Sequence, residues 1–83
     1  MELSVEQHRE ALSAAFGDKP IRGFENMLQA MMTAYAAIGF KRGRNVMVKL
    51  LQYLTDTLKL VIKRDKLFYY DKTQAETMLF DEE

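Results

Sequence analysis

Apolar residues recur with helical spacing in the middle of the chain, between Asn45 and Arg64. The positions that follow this spacing are Met47, Leu50, Leu51, Leu54, Leu58, Val61 and Ile62. Residues with such spacing lie on one side of an α-helix, so the pattern predicts one long helix over 45–64 with a buried side. The opposite side carries Lys49, Gln52, Asp56, Lys59 and Lys63. This third helix should therefore present a largely cationic face to water or to a partner.

A first helix is predicted near the start of the chain. Ser4 and Gln7 have the spacing of a capping box, in which each side chain accepts a hydrogen bond from a backbone amide at the helix start. The helix should end at Gly17, because glycine readily adopts the left-handed conformation that terminates helices. The pattern thus indicates a modest amphipathic helix that packs on the others.

A second helix is predicted after the break at Pro20, from about residue 21 or 23 to residue 38. Its apolar positions are Phe24, Met27, Leu28, Met31, Tyr35 and Ile38. The chain carries no charge between Glu25 and Lys41, so this helix is apolar around most of its circumference. We expect such a helix to be central and covered by its own chain or by a second subunit.

The last segment completes an all-α prediction. Asp71 and Gln74 repeat the spacing of a helix cap, which predicts a short fourth helix over 72–80. The fold predicted is a single domain over 1–83, a bundle of three to four helices built on an antiparallel hairpin of the second and third helices. The acidic residues 81–83 should fray.

An α+β alternative concerns about 58–71. Val61 and Ile62 have the β-branched character of a strand, 68–70 is aromatic, and the charged pair Arg64-Asp65 lies between them. Three helices followed by this β-hairpin would resemble a winged helix-turn-helix arrangement with a basic tip. The absence of an Asn-Gly or Asp-Gly turn and the length of the second helix favour the bundle.

Charge is unevenly distributed although the totals cancel. The chain has 12 basic and 12 acidic residues, and the net charge runs from −3 over 1–18 through +7 over 19–66 to −4 over 67–83. A basic middle segment indicates either a surface for an anionic partner or ends that fold back and neutralise it.

Candidate catalytic chemistry is sparse. His8 is the single histidine and there is no cysteine, so the sequence predicts no metal site, no cofactor and no enzyme. The N-terminus lacks the basic start and apolar run of a signal peptide, and no segment has the roughly 20 apolar residues that span a bilayer. We therefore expect a cytoplasmic protein with no membrane association.

The function predicted first is a small interaction module that self-associates and binds another protein, whose identity the sequence does not indicate. An 83-residue chain has a thin core, and association would add buried area. The expected self-association surface comprises Met32, Val46, Tyr53 and Leu60.

Nucleic-acid binding is the alternative function. The cations that would contact phosphates are Lys41, Arg42, Arg44, Lys49, Lys59 and Lys63, with Arg64 and Lys66 beyond them. Tyr69 and Tyr70 would be available for stacking on a single strand. The loop 39–45 can also be interpreted as a solvated turn in which Asn45 caps the third helix.

Overall fold

The computed structural model describes residues 3–17 and 19–81, with side chains described through Met78. The elements, in chain order, are α1 (Val5–Phe16), β1 (Ile21–Arg22), α2 (Phe24–Ala37), α3 (Arg44–Asp56), β2 (Val61–Arg64), β3 (Leu67–Tyr70) and α4 (Lys72–Asp81). The three strands form one antiparallel sheet in the order β1-β3-β2. The fold is α+β, so the predicted all-α bundle is wrong, and the alternative with a β-hairpin at about 58–71 describes it better.

The helix ends follow the local signals in two places. Ser4 and Gln7 form the predicted capping box, and α1 ends at Gly17 with φ of 57°. At the start of α4, the Asp71 carboxylate accepts a hydrogen bond of 2.9 Å from the Gln74 amide. Because each signal depends on residues a few positions apart, the sequence was sufficient to predict both.

The third helix ends much earlier than predicted. Lys59 adopts a left-handed conformation with φ of 59°, which turns the chain away from the helix axis. The buried Leu60 then joins both sides of this turn, because its amide donates to the Leu54 carbonyl at 2.8 Å and its carbonyl accepts from the Asp71 amide at 2.8 Å. The segment from Val61 pairs with β3, and this non-local pairing outweighs the helical spacing of its apolar residues.

The β2–β3 hairpin turns through two residues that are not glycine. Asp65 and Lys66 both have positive φ, 52° and 65°, as a two-residue hairpin turn of type I′ requires. The turn therefore lacks the glycine that usually marks it in a sequence.

Strand β1 was assigned to the second helix by the sequence pattern. Ile21 and Arg22 instead pair with Phe68 and Leu67 of β3. The Gly23 amide continues this pairing through a hydrogen bond of 2.9 Å to the Lys66 carbonyl, and α2 begins only at Phe24.

The core lies between the helices and the inner face of the sheet. Its fully buried large side chains include Leu12, Met27, Leu28, Met31, Tyr35, Met47, Leu54, Leu60 and Val61. The first half of the stripe predicted on the third helix is thus confirmed. Leu60 and Val61 are buried as well, but Leu60 reaches the core from the connection before β2 and Val61 from β2 itself.

Three helices precede the β-hairpin, as the α+β alternative predicted, but β1 lies between α1 and α2, and α4 follows the hairpin. The connection 38–43 between α2 and α3 is longer than the three- to four-residue turn typical of helix-turn-helix units. Gly43 occupies the N-cap position of α3, so the prediction of Asn45 at this position is wrong. Among the described residues, no helix has the length and apolar character needed to cross a bilayer.

Candidate nucleic-acid interface

The exposed side of α3 forms a mixed polar and apolar surface, here called the α3 face. Its exposed residues are Asn45, Val46, Lys49, Gln52, Tyr53 and Asp56. They face outward because Met47, Leu51 and Leu54 on the other side of the helix are buried. The outward residues therefore present amide, ammonium, carboxylate, phenol and methyl groups along one helix, which is a varied set of hydrogen-bonding and apolar contacts.

The α3 face adjoins the β2–β3 hairpin. A cavity of about 160 Å³ lies between them, and its lining includes Gln52 and Asp56 from α3 and Lys63 from β2. The exposed Phe24 at the start of α2 and the Phe68 ring complete this groove. The Lys63 ammonium lies 5.9 Å from the centre of the Phe68 ring, within the range of a cation–π contact.

The hairpin tip is cationic. Arg64 and Lys66 are exposed there, with Asp65 between them. The edge strand β1 adds the exposed Arg22. Arg22 and Arg64 both pair with Leu67 of β3, one from each side. Arg22, Lys63, Arg64 and Lys66 thus lie at the same end of the sheet as Asp65.

Arg44 is paired with a carboxylate. Its guanidinium donates two hydrogen bonds, of 2.6 and 2.8 Å, to the carboxylate of Glu25 in the first turn of α2. The hydrogen bonds from Arg44 lower the pKa of the Glu25 carboxyl, and the same contact raises the pKa of the guanidinium. Both groups therefore stay ionised at neutral pH, and Arg44 begins α3 with its charge already neutralised.

The remaining predicted cations lie in connections. The Arg42 guanidinium lies 4.7 Å from the centre of the Phe40 ring and donates to the Lys41 carbonyl at 2.8 Å. Lys41 is exposed in the same loop, and Lys59 is exposed between α3 and β2. The structure therefore brings Lys49 and Lys63 to the α3 face and its groove, whereas the other predicted cations occupy neighbouring segments.

The residues predicted for self-association do not form one surface. Val46 and Tyr53 are each 45% exposed and share the α3 face. Met32 is half-buried on α2, and Leu60 is fully buried in the core.

The tyrosines proposed for stacking are engaged within the protein. Tyr70 stacks on Phe16 with ring centres 6.2 Å apart, and its hydroxyl oxygen is buried. Tyr69 is half-buried, and the Arg64 guanidinium lies 6.0 Å from the centre of its ring. The Tyr70 ring is therefore not presented as an open platform for a base.

His8 has a structural environment. It is buried on α1, and its Nδ1 forms a hydrogen bond of 2.9 Å with the Tyr35 hydroxyl on α2. Burial lowers the pKa of His8 and raises the pKa of Tyr35. The neutral forms are thereby favoured, and the pair joins the first two helices inside the core.

Two residues of this region were not predicted as part of the site. Arg22 was placed at the start of the second helix, and Phe24 was counted among the apolar positions of that helix, although it is 38% exposed. The signal for β1 is the sequence Pro20-Ile21-Arg22-Gly23, in which the β-branched Ile21 lies between two residues that interrupt helices. No known protein family, curated protein or solved structure matches the chain.

Proposed function

We propose that the protein binds duplex DNA, with the α3 face in the major groove and the β2–β3 hairpin against the phosphate backbone. The observation that supports this proposal best is the groove shared by Gln52 of α3 and Lys63 of β2. One ligand can contact a helix with a polar outer side and a cationic hairpin at the same time.

The dimensions of α3 suit the major groove. A helix of 13 residues is about 20 Å long, and the major groove of B-DNA, about 12 Å wide, admits an α-helix. Asn45 and Gln52 carry amides that can bond adenine edges, and Lys49 can donate to guanine. Val46 adds a methyl surface that can contact thymine.

The hairpin supplies the electrostatic part of the binding. Lys63 and Lys66 can neutralise phosphates and release counterions, which makes affinity fall as salt rises. The zero net charge of the whole chain does not oppose this interaction, because a local cationic patch attracts phosphates.

Fluorescence anisotropy with a labelled duplex of mixed sequence tests the proposal. We expect binding at about 50 mM salt and a linear fall of log affinity with log salt. Replacing Lys63 and Lys66 with alanine should reduce the slope by about 0.9 for each phosphate that the variant no longer neutralises. Duplex RNA should bind more weakly, because its deep and narrow major groove excludes a helix.

Arg9→Ala is the matched control for these charge changes. Arg9 lies on α1, outside the groove, and its ion pair with Glu6 is long at 4.0 Å. This variant should bind like the wild type. Absence of any anisotropy change with wild type at about 50 mM salt would reject the proposal.

An interaction module that self-associates and binds another protein is the second candidate function. It is supported by the exposed Val46 and Tyr53 on α3 and by Phe24, which is 38% exposed in the adjacent groove. Light scattering at high concentration should then give a mass above 9.7 kDa. Val46→Lys with Tyr53→Lys should restore the monomer mass, whereas a monomeric wild type would exclude this candidate.

A further inference from the structure

A larger cavity lies apart from the α3 groove, and the described lining residues of the two do not overlap. Its volume is about 540 Å³, which falls within the range of about 300–1,000 Å³ typical of small-molecule sites. The end of α1, the connection before β1, strands β2 and β3, and the start of α4 all contribute to it. We call it the outer cavity.

The outer cavity has an apolar and aromatic floor. Ile62 and Tyr69 are paired across the hairpin, and both are half-buried. Pro20 lies beside them, and the stacked rings of Phe16 and Tyr70 form one wall. Half-buried rings and aliphatic groups at the bottom of a concave surface favour a flat apolar ligand group.

Its rim is cationic. Lys19 and Arg64 both line the cavity and are exposed, and the Arg64 guanidinium lies 6.0 Å from the centre of the Tyr69 ring. Asp71 is the one acid among the described lining residues. Its carboxylate accepts a hydrogen bond from the Gln74 amide at the start of α4. That carboxylate is directed to the helix end, so the rim favours an anion.

We propose that the outer cavity binds a small organic anion that carries a flat ring. The ring would lie on Ile62 and Tyr69, and the anionic group would lie between Lys19 and Arg64. A bare phosphate would leave the apolar floor uncovered, and a neutral ring would leave the cations unused, so the combination of both groups fits best.

This site is separate from the proposed DNA surface. Successive residues of a strand point to opposite faces, so Lys63 and Phe68 face the α3 groove while Ile62 and Tyr69 face the outer cavity. The proposal therefore does not depend on DNA binding, and either can fail without the other.

Titration with 8-anilinonaphthalene-1-sulfonate tests the proposal, because this fluorescent probe combines a flat ring with one anionic group. We expect saturable binding of one probe per chain to the folded protein. Lys19→Glu and Arg64→Ala should each weaken binding about tenfold. The uncharged analogue N-phenyl-1-naphthylamine should bind more weakly than the sulfonate.

Lys41→Glu is the control, because it makes the same charge reversal in the connection between α2 and α3, outside the outer cavity, and should leave probe binding unchanged. Lys19 lies in an exposed connection, so its replacement should preserve the fold, which far-UV circular dichroism would verify. Amide NMR shifts should change at Lys19, Ile62 and Tyr69 on binding. Lack of probe binding, or affinity unchanged in both Lys19→Glu and Arg64→Ala, would overturn the proposal.

Discussion

The Arg44 guanidinium at the start of α3 holds both carboxylate oxygens of Glu25 at the start of α2, at 2.6 and 2.8 Å. A carboxylate bound in this way uses the same two donors that Arg44 would offer to a phosphate. The lowered pKa of Glu25 means that the ion pair is present above the ordinary pKa of a glutamate and breaks as pH falls through the lowered value. In the proposed complex, Glu25 would therefore compete with a DNA phosphate for Arg44 at neutral pH.

Glu25→Gln should strengthen duplex DNA binding. The substitution removes the competing charge and leaves Arg44 able to contact one more phosphate. We expect affinity about five-fold higher and a salt slope steeper by about 0.9, both measured by anisotropy over a salt series.

Two variants separate this effect from a general change in charge. Glu10→Gln removes one negative charge from an exposed position on α1 and should change affinity less. Adding Arg44→Ala to Glu25→Gln should abolish the gain. A gain that survives in this double variant would mean that Arg44 is not the group released.

Lys66→Gly should stabilise the fold. Lys66 has φ of 65°, and the left-handed conformation costs a residue with a side chain about 1–2 kcal/mol. Glycine loses more conformational entropy on folding than lysine does, which offsets part of this gain. We therefore expect the free energy of unfolding to rise by about 1 kcal/mol. Urea denaturation of the purified variant measures this change.

Lys63→Gly is the matched comparison within the same hairpin. Lys63 is a strand residue, so glycine should destabilise the fold there by about 0.5–1 kcal/mol. Equal effects of the two substitutions would contradict the assignment of the turn to Asp65 and Lys66.

Tyr70→Phe should leave stability unchanged or raise it. The Tyr70 hydroxyl oxygen is buried without a hydrogen bond among the described residues, although Ser13 on α1 approaches it. An unpaired buried polar group costs about 1–3 kcal/mol, and phenylalanine keeps the ring stacked on Phe16. Thermal denaturation should therefore give an equal or higher melting temperature, and Ser13→Ala should have little effect. A large loss in both variants would show that the two hydroxyls are bonded.

Protein stability should decrease on acidification below about pH 6.5, the ordinary pKa of histidine. Because burial lowers the pKa of His8, the unfolded chain binds a proton at a higher pH than the folded protein does. The free energy of unfolding should therefore fall as pH decreases from about 6.5 to the lowered pKa of folded His8. Above about pH 6.5, it should not depend on this group. Urea denaturation at pH 7.5 and 5.5 measures the difference.

His8→Gln is the control for this pH effect. Glutamine can still bond the Tyr35 hydroxyl but does not titrate. Since His8 is the single histidine, its replacement should remove most of the difference between the two pH values. Equal stability of the wild type at pH 7.5 and 5.5 would contradict the prediction.

Features set by neighbouring residues could be predicted from the sequence. The cap at Ser4 depends on Gln7 three positions later, and the buried stripe from Met47 to Leu54 depends on spacing within one helix. The end of α3 could not be predicted in this way. Val61 continues the helical spacing and is also β-branched, and its pairing with Tyr70 decides the outcome.

The candidate site was predictable to a similar degree. Lys49 and Lys63 were identified as cations of one face, and they do line the α3 surface and its groove, although they lie on a helix and a strand. The neutralisation of Arg44 was not predictable, because its partner lies 19 positions earlier in the chain. Long-range pairing of this kind leaves no periodic pattern in a sequence.

Leu60 fixes the distance between the helix and the hairpin. Its side chain is fully buried, its amide is bonded to the end of α3, and its carbonyl is bonded to the residue that follows β3. No freely rotating joint therefore separates the two parts that would contact DNA. A duplex that contacts both must match a set spacing, so sequences whose groove has the required width should bind better even where no base is touched.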